Sequence, residues 1–593
     1  MSEIVLGLSC YYHDSAAALV CDGAILAAAQ EERFTRVKND AGFPVNAARY
    51  CLEAHGMRLS DVDRVVYYEN PEQKFDRIVE GHLTLADRRS KPFRSFLSNW
   101  LGGRISVGDQ IVAGLRHVAQ GDGAIPPLFH VGHHHAHAAS AFFPSGFEDA
   151  AVLCMDGVGE WATTTAWRGT GGRLEPLWEI RFPHSLGLLY SAFTDHAGFE
   201  VNSGEYKLMG LAPYGQPRYV DIILDRLIDI KEDGSFQLDL RYFDYVVGET
   251  MTTPAFDALF GPARRPDQPL TQRDVDLARS IQVVTEEIVL RLARRLRAET
   301  GAANLCLAGG VALNCVANGR LACAGVFDRI WVQPAAGDAG GALGAALLGC
   351  SARPPADEGD AMQGALLGPA WSQDEVVAFL TRAGARFDIL PDDAVAAHAA
   401  RRLEAGQVIG WFQGRMEFGP RALGARSILA DPRPIDMQSR INRKIKFRES
   451  FRPFAPAVLQ ERLGDYFDGG VDNPYMQFTL PIREERRKAP NQLTNADFSD
   501  LSRRNLGNSE IPAVTHVDYS ARVQSVSKAS NPKFHRLISE FEKITGCGLV
   551  VNTSFNVKDE PIVCSPEDAY RCFLKTGLDS LVIENCILDK AAA

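Results

Sequence analysis

The sequence predicts an α/β protein with a duplicated lobe in its first half and a second α/β domain after it. Near the start, an apolar strand and a polar corner at His13 and Asp14 precede two strands joined by Asp22 and Gly23, the residue pair typical of a hairpin turn. A stretch from Ala150 repeats this order about 145 residues later, which indicates duplication. A coincidental meander is the alternative interpretation.

A long helix and two strand–glycine turn–helix units follow the second hairpin. Apolar residues recur at helical spacing from Ile281 to Leu296, and Gly301 supplies a stop signal. The strand NLCLAGG runs into GGVALN, and the strand RIWVQP runs into the small-residue segment after Asp338. Such units place backbone N–H groups at the end of a parallel sheet, as nucleotide sites require.

The stretch 351–373 is rich in Pro, Gly and Asp and predicts a connection between two domains. We place these domains at residues 1–355 and 370–593. The second domain is expected to open with a helix around 394–404 and the strand QVIGWF. The polar stretch 482–508 lacks periodicity and predicts a loop.

Composition narrows the class of protein. The 63 basic and 74 acidic residues give a net charge of −11, which argues against nonspecific nucleic-acid binding. The twelve cysteines include no CxxC pair, a pattern typical of reduced thiols. The N-terminus lacks the basic start of a signal peptide, and no apolar run is long enough for a membrane span. We therefore predict a cytoplasmic protein without a membrane anchor.

The segment GHHHAHAASAFF predicts a metal site. His133 and His137 are four residues apart, so both imidazoles lie on one face of a helix. Asp156 and Asp338 each lie beside a glycine turn near a strand end and are candidate carboxylate ligands. This ligand set suits iron, zinc or manganese. Histidines that only pack or face solvent are the alternative.

Basic residues concentrate at 440–452, where six of them against Glu449 give a local net charge of +5. Apolar residues interleave with these charges, so part of the segment must be buried with its cations, and buried cations need anions. We expect a polyphosphate pocket here; a solvated basic face is the alternative. Further candidates for ligand contacts are Arg421, Arg522, Ser554 and Asn556, and a turn-forming role for Asn556 is equally plausible.

Together these motifs resemble the O-carbamoyltransferases of the NodU/CmcH family. The resemblance extends over nearly the whole chain, through GLSCYYHDSAAALV, HHHAHAASAF, MDGVGE, NSGEYKLMGLAPYG, LAGGVALN, GDAGGALG, GPRALGARS, KIKFRESFRPFAP, HVDYSARVQ and NTSFN. It implies an N-terminal domain of the actin/hexokinase type, which is ribonuclease H-like and duplicated. It also implies a C-terminal YrdC-like α/β domain.

The resemblance implies chemistry as well. The YrdC-like domain would form carbamoyl adenylate from carbamoyl phosphate and ATP, with Mg²⁺ accompanying the nucleotide, and the N-terminal domain would transfer the carbamoyl group to a hydroxyl. The metal would be Fe²⁺, with zinc or manganese as alternatives. The family's motifs fall on Lys446 and Arg448, on Ser554 and Asn556, on the phosphate-binding Arg421 and Arg522, on the adenosine-binding turn with Gly309, Gly310 and Asn314, and on the metal ligands His133, His137, Asp156 and Asp338.

The general base is expected to be His13, because an acceptor hydroxyl needs a base and an imidazole suits this task. We expect the adjacent Asp14 to project to the opposite face of an extended chain and not to pair with His13. Binding of a nucleotide phosphate is the alternative role for His13. The expected partner is a hydroxylated small molecule, and the helical stretch 70–125, with Arg77 and His82, is a candidate wall of its pocket or ordinary lobe packing.

Two other functions compete with this prediction. An actin/hexokinase-type kinase would release ADP, and it would leave the C-terminal basic segment and the histidines unused. An enzyme similar to the tRNA threonylcarbamoyl-transferring protein is a nearer relative, but the acidic balance argues against a nucleic-acid partner.

Overall fold

The computed structural model describes residues 2–85, 107–121, 123–354, 359–448, 451–489 and 507–590. The chain divides into two compact units. Unit 1 comprises Met1–Glu31 and Ala41–Ala361, and unit 2 comprises Glu32–Asp40 and Met362–Ala593. The short helix α1 (Glu32–Thr35) therefore belongs to unit 2 although it lies early in the chain, which the sequence analysis did not anticipate.

Unit 1 contains two five-stranded sheets with the same topology. The first has the order β3-β2-β1-β4-β5 and the second the order β12-β11-β6-β7-β8. In each sheet, three antiparallel strands are followed by two strands that run parallel to the first. The predicted duplication of an α/β lobe, the actin/hexokinase-like arrangement, is therefore confirmed. The strands are β1 (Ile4–Ser9), β2 (Ala16–Cys21), β3 (Ala24–Gln30), β4 (Arg64–Tyr67), β5 (Leu128–His130), β6 (Asp149–Met155), β7 (Ala162–Thr170), β8 (Arg173–Arg181), β9 (Ile228–Ile230), β10 (Phe236–Leu238), β11 (Asn304–Ala308) and β12 (Arg329–Val332).

Local sequence signals account for the turns and ends of these elements. Asp22 and Gly23, which join β2 to β3, have φ of 49° and 85°, the left-handed pair that a tight hairpin turn requires. The predicted helix around Ile281 is a 29-residue helix that begins after a capping box at Thr271 and ends at Gly301, whose φ is 65°. Both predictions are confirmed.

The helices of unit 1 follow the strands in the expected alternation. They are α2 (Val45–Glu53), α3 (Pro71–Leu85), α4 (Val107–Val118), α5 (His133–Phe142), α6 (Leu186–His196), α7 (Glu205–Leu211), α8 (Val220–Ile222), α9 (Pro254–Phe260), α10 (Gln272–Thr300), α11 (Cys315–Cys323) and α12 (Asp338–Gly349). Helices α5 and α12 lie so close together that a Cβ on Gly344 would overlap the carbonyl oxygen of Ala136. This contact brings the histidine helix against the helix that starts at Asp338.

Unit 2 is an α/β unit around an eight-stranded sheet with the order β13-β22-β21-β14-β15-β20-β16-β19, beside the two-stranded ribbon β17-β18. Its strands are β13 (Asp388–Ile389), β14 (Ile409–Phe412), β15 (Arg426–Ala430), β16 (Ala455–Leu459), β17 (Thr479–Pro481), β18 (Ser520–Arg522), β19 (Gln524–Val526), β20 (Leu549–Ser554), β21 (Ser580–Ile583) and β22 (Cys586–Asp589). Its further helices are α13 (Gln373–Arg382), α14 (Asp392–Glu404), α15 (Met437–Ile441), α16 (Leu463–Tyr466), α17 (Pro532–Thr545) and α18 (Pro566–Lys575). The predicted helix around 394–404 and the strand after it are α14 and β14.

Some sequence expectations fall partly outside the described residues. Residues 86–106 of the stretch 70–125 and residues 490–506 of the predicted loop 482–508 are among these. All twelve cysteines are free thiols. Within the described ranges, no helix is both long enough and apolar enough to cross a membrane.

Candidate functional site

The four residues predicted as metal ligands converge in unit 1. His133, His137, Asp156 and Asp338, here called the His/Asp cluster, each offer a ligand atom, and these atoms all lie within 4.8 Å of one another. The Nε2 atoms of His133 and His137 lie 2.9 and 3.3 Å from Oδ2 of Asp156, and each lies 3.7 Å from Oδ1 of Asp338. The two Nε2 atoms are 3.1 Å apart.

Three backbone features produce this convergence. The spacing of His133 and His137 on α5 places both rings on one face. Asp156 immediately follows β6, and Asp338 is the first residue of α12, which packs on α5. The backbone N–H of His133 donates to the carboxylate of Glu160, which anchors the start of the histidine helix.

The cluster concentrates negative charge that needs compensation. Burial would raise the pKa of Asp338, but His13, His137 and His133 hold it at about 2. Hydrogen bonds from His133 and His137 overcome burial and hold the pKa of Asp156 well below its usual range. Burial would likewise lower the pKa of His137, but Asp156 and Asp338 raise it to about 9. The pKa values of the aspartates and of His137 shift in opposite directions, so a positive charge at this position favours the ionised carboxylates.

A divalent cation fits this donor set. Two imidazole nitrogens and two carboxylates suit iron, zinc or manganese, and a cation would supply the positive charge that the carboxylates favour. Ligands that lie about 2.0–2.2 Å from one ion span roughly the distances seen here. The two neighbouring histidines point away from the cluster. His134 contacts Thr165, and burial and then His133 lower its pKa to about 3. His135 stacks on Trp167.

His13 lies at the edge of the His/Asp cluster. Its Nε2 is 3.9 Å from Oδ2 of Asp338, and its Nδ1 is 3.0 Å from Oδ2 of Asp14. Burial would lower the pKa of His13, but Asp338 and Asp14 raise it to about 9. A cation held by Asp338 would oppose this increase. The expectation that Asp14 points away from His13 is wrong. Asp14 has a φ of 54°, so the corner is not extended and both side chains lie on one side.

The glycine turn predicted to bind adenosine is also adjacent to the cluster. Gly309 has a φ of 85°, and a Cβ there would overlap the carbonyl oxygen of Met155. The N–H of Gly310 donates to Oδ1 of Asp156 at 3.1 Å, so this turn orients a cluster carboxylate. Asn314 caps α11 by accepting from Ala317, and its amide also pairs with Gln282.

In unit 2, the structure brings Lys446 together with Ser554 and Asn556, a set that we call the Lys446 pocket. Nζ of Lys446 lies 2.7 Å from the Ser554 carbonyl oxygen, 3.1 Å from Ser554 Oγ, 3.0 Å from the Asn556 carbonyl oxygen and 2.6 Å from Asn556 Oδ1. These acceptors are uncharged. Burial, Arg448 and Arg452 lower the pKa of Lys446 well below its usual range.

Three further arginines have distinct settings in unit 2. Arg448 donates to Oδ1 of Asn442 and lies over the Phe454 ring. Arg522 ends β18, beside Thr479 of β17. Arg421 lies in the loop between β14 and β15.

Two groups that were not among the sequence-predicted site residues, Glu417 and Asn552, organise the surroundings of these arginines. Glu417 accepts backbone N–H bonds from Leu423, Ala425 and Arg426, and so fixes the shape of the loop that carries Arg421. Asn552 on β20 donates to the carbonyl oxygen of Ala422 and to Gln524. Through Asn552, the Arg421 loop is hydrogen-bonded to β20, the strand that ends at Ser554, and Asn552 also bonds Gln524 of β19, two residues after Arg522. The sequence signal available for Glu417 was an acidic residue within the glycine-containing segment GRMEFGPRALG.

Comparison with known proteins identifies the family to which this chain belongs. Residues 4–347 match the family described as the carbamoyltransferase N-terminus, and residues 400–590 match the carbamoyltransferase C-terminus. The chain belongs to the carbamoyltransferase family. The described α/β fold and the two units accord with the two matched regions.

Relatives of this family resemble the chain over most or nearly all of its length. An uncharacterized protein of Synechocystis, sll1178, is 54% identical over 602 residues, which cover 99% of this chain and 97% of that protein. Nodulation protein NolNO of Sinorhizobium fredii is 39% identical over 588 residues, covering 98% of this chain and 80% of that protein. The 3'-hydroxymethylcephem-O-carbamoyltransferase of Streptomyces clavuligerus is 30% identical over 398 residues, covering 66% of each chain.

Proposed function

We propose that this protein is an ATP-dependent O-carbamoyltransferase with a small-molecule acceptor. Unit 2 would activate carbamoyl phosphate with ATP to carbamoyl adenylate, and unit 1 would transfer the carbamoyl group to a hydroxyl. Membership of the family supports the identity of the transferred group. The name of the cephem relative, which specifies an O-carbamoyl product of a hydroxymethyl compound, supports the acceptor class.

The observation that carries the proposal is the Lys446 pocket. Among the residues that the structure describes, only uncharged oxygens contact the buried Nζ of Lys446, and Arg448 and Arg452 lie near enough to lower its pKa. ATP and carbamoyl phosphate together bring roughly six negative charges, which such a site can bind. A kinase of the actin/hexokinase type has its nucleotide site in the duplicated lobe and would have no use for this pocket.

Activation is needed because the nitrogen of a carbamate donates into the carbonyl and makes it a poor acyl donor. In the proposed first stage, water cleaves carbamoyl phosphate to carbamate and phosphate. A carbamate oxygen then forms a bond to the α-phosphorus of ATP, and the bond to the β-phosphate oxygen breaks to release pyrophosphate. Lys446, Arg448, Arg421 and Arg522 are the proposed cations that stabilise the charge on the phosphates, and Ser554 and Asn556 are proposed to position them.

In the second stage, the acceptor oxygen forms a bond to the carbamoyl carbon, and the bond from that carbon to the AMP phosphate oxygen breaks. AMP leaves, and Nε2 of His13 takes the hydroxyl proton. Asp14 contacts Nδ1 of the same ring and holds it in place. We assign the turn with Gly309, Gly310 and Asn314 to the nucleotide end of carbamoyl adenylate.

His133, His137, Asp156 and Asp338 are the residues that would hold the metal, and Fe²⁺ is our first candidate, with zinc or manganese as alternatives. A divalent ion there would supply a fixed positive charge next to the transfer site. With two imidazoles and two carboxylates as ligands, the site would be neutral overall.

Product analysis tests the proposal. Purified full-length protein is incubated with ATP, Mg²⁺ and carbamoyl phosphate, and the nucleotides are separated by chromatography. We expect AMP and pyrophosphate that depend on carbamoyl phosphate. ADP as the nucleotide product would instead favour the kinase, and carbamoylation of tRNA but of no small molecule would favour the tRNA-modifying alternative. Either result contradicts the proposal.

A further inference from the structure

A cavity of about 550 Å³ in unit 1 lies next to the proposed transfer site. Its wall includes His133 of the His/Asp cluster and Tyr12, whose ring centroid is 4.5 Å from that of His13. Aromatic side chains of Phe182 and Tyr245 line it as well, together with Arg77. The cavity is therefore large enough for a ring-sized molecule and opens directly beside the proposed reacting groups.

Arg77 is the unusual member of this lining. Only 9% of the residue is exposed, and its guanidinium lies over the Phe182 ring, 5.1 Å from the centroid. Among the described residues it makes no hydrogen bond and no ion pair, and its Nε is buried without a partner. A guanidinium has five N–H donors, so a buried arginine in this state has strong unused capacity for an oxyanion.

Nearby carboxylates do not satisfy this capacity. Glu69 and Glu160 are close enough to favour the charged form of Arg77, but each is engaged elsewhere. Both oxygens of Glu69 accept from Nζ of Lys74, and Glu160 accepts the backbone N–H groups of Asn70 and His133. Burial of a cation is costly unless an anion pairs with it, so the cavity is suited to a ligand that brings one.

We propose that Arg77 binds an oxyanion of the carbamoyl acceptor, so that the substrate of this enzyme is a hydroxylated acid carrying a carboxylate or a phosphate. The fork of Arg77 would hold the anion, Phe182 and Tyr245 would contact the body of the acceptor, and its hydroxyl would face His13. This inference rests on the proposed function and adds the acceptor class and the residue that selects it.

The charge of the carbamoylated product tests the acceptor class. The full-length protein is incubated with ATP, Mg²⁺, ¹³C-labelled carbamoyl phosphate and a small-molecule extract of the cells that make it. Carbamoylation of a hydroxyl adds no charge, so anion-exchange retention of the labelled product reports the acceptor. We expect a retained product, and treatment with a phosphatase then separates a phosphate, which is lost, from a carboxylate, which is not.

A labelled product that is neutral or cationic would overturn this inference and leave the proposed function intact. Absence of any labelled product, despite formation of AMP, would refute transfer to a small molecule and the inference with it. Absence of AMP would refute the activation step itself. The three failures are therefore distinguishable.

Variants test the role of Arg77 with the isolated acceptor. We expect Arg77→Gln to lower kcat/KM at least about tenfold, mainly through KM, and to leave AMP formation from ATP and carbamoyl phosphate unchanged. Arg77→Lys keeps the charge and should recover part of the loss. Arg226→Gln, at an exposed arginine beside Asp225, is the matched control. Two outcomes would contradict the proposal. One is an unchanged kcat/KM in Arg77→Gln. The other is an equal loss of kcat/KM in Arg77→Lys together with a lower melting temperature of both variants.

Discussion

The Nδ1 atom of His13 lies 3.0 Å from Oδ2 of Asp14, although the two residues are adjacent in the chain. The left-handed backbone of Asp14 turns both side chains to one side of the corner. The carboxylate therefore fixes the ring, and the opposite nitrogen, Nε2, faces the cluster near Asp338. This is the arrangement that the proposed role of His13 as a base requires, with Asp14 as the positioning carboxylate.

Replacement of His13 tests its role as the base. His13→Asn retains a polar side chain and removes the basic nitrogen. We expect pyrophosphate release from ATP and carbamoyl phosphate to continue, while carbamoylation of the acceptor slows ~10² to 10⁴-fold. Asp14→Asn should slow transfer less, because His13 remains present. Near-normal transfer by His13→Asn would remove this residue from the mechanism.

Metal content tests the His/Asp cluster. Asp338→Ala removes one of two carboxylates that compensate a bound cation, so we expect metal content, measured by elemental analysis, and carbamoyl transfer to fall together. His135→Gln is the matched control, because His135 lies on the same helix but stacks on Trp167. Stoichiometric metal in Asp338→Ala, or full transfer activity of the wild type after chelation, would show that the cluster has another role.

The Lys446 pocket is expected to serve activation and not transfer. Lys446→Met removes the ammonium that contacts Ser554 and Asn556, and loss of such a group typically costs ~10² to 10³ in rate. AMP formation should fall accordingly, whereas transfer from chemically supplied carbamoyl adenylate should persist; Arg448→Ala should behave in the same way.

Lys444→Met, two residues away at an exposed position, is the control for the Lys446 variant and should retain both reactions. Loss of both reactions in Lys446→Met would indicate a folding role for this segment. Measurement of both reactions and of the melting temperature on one preparation separates these outcomes.

Proton uptake on binding provides a pH-dependent test. Burial and the neighbouring Arg448 and Arg452 lower the pKa of Lys446, whereas a bound phosphate would raise it by stabilising the cation. Between these two pKa values, binding of carbamoyl phosphate should take up a proton, and its affinity should fall as the pH rises. Calorimetry in two buffers of different ionisation enthalpy measures this uptake.

The variant Lys446→Met tests whether Lys446 is the group that takes up the proton. Lys446→Met has no titrating group at this position, so its proton uptake should disappear and its weaker affinity should become less dependent on pH. The same uptake in the wild type and in Lys446→Met would assign the proton to another group, such as the ligand itself.

The parts of the fold that the sequence predicted are those determined by local geometry. The hairpin at Asp22 and Gly23 depends on two residues that tolerate positive φ. The helix that ends at Gly301 depends on apolar periodicity, a capping box and a left-handed stop. Such signals act within a few residues, so they are readable before the chain folds.

Half of the candidate metal site was predictable for the same reason. The spacing of His133 and His137 on one helix places both rings on one face whatever surrounds them. Their approach to Asp156 and Asp338 depends on the packing of α5 against α12, which a small residue at Gly344 permits. Sequence distance carries no information on such a contact. The positions of Asp156 and Asp338 beside glycine turns near strand ends made them candidates, and the family resemblance then implied that they are ligands.

By itself the sequence determined the family, the duplicated lobe and the residue types that the proposed chemistry needs. Only the tertiary structure decided which of these side chains meet: Asp14 turned toward His13, Lys446 against Ser554 and Asn556, and Arg77 buried in a cavity beside His133. The physical reason is that burial and charge compensation are properties of the packed interior. Whether a cation has an anionic partner depends on residues far apart in the chain, which only folding brings within hydrogen-bond distance.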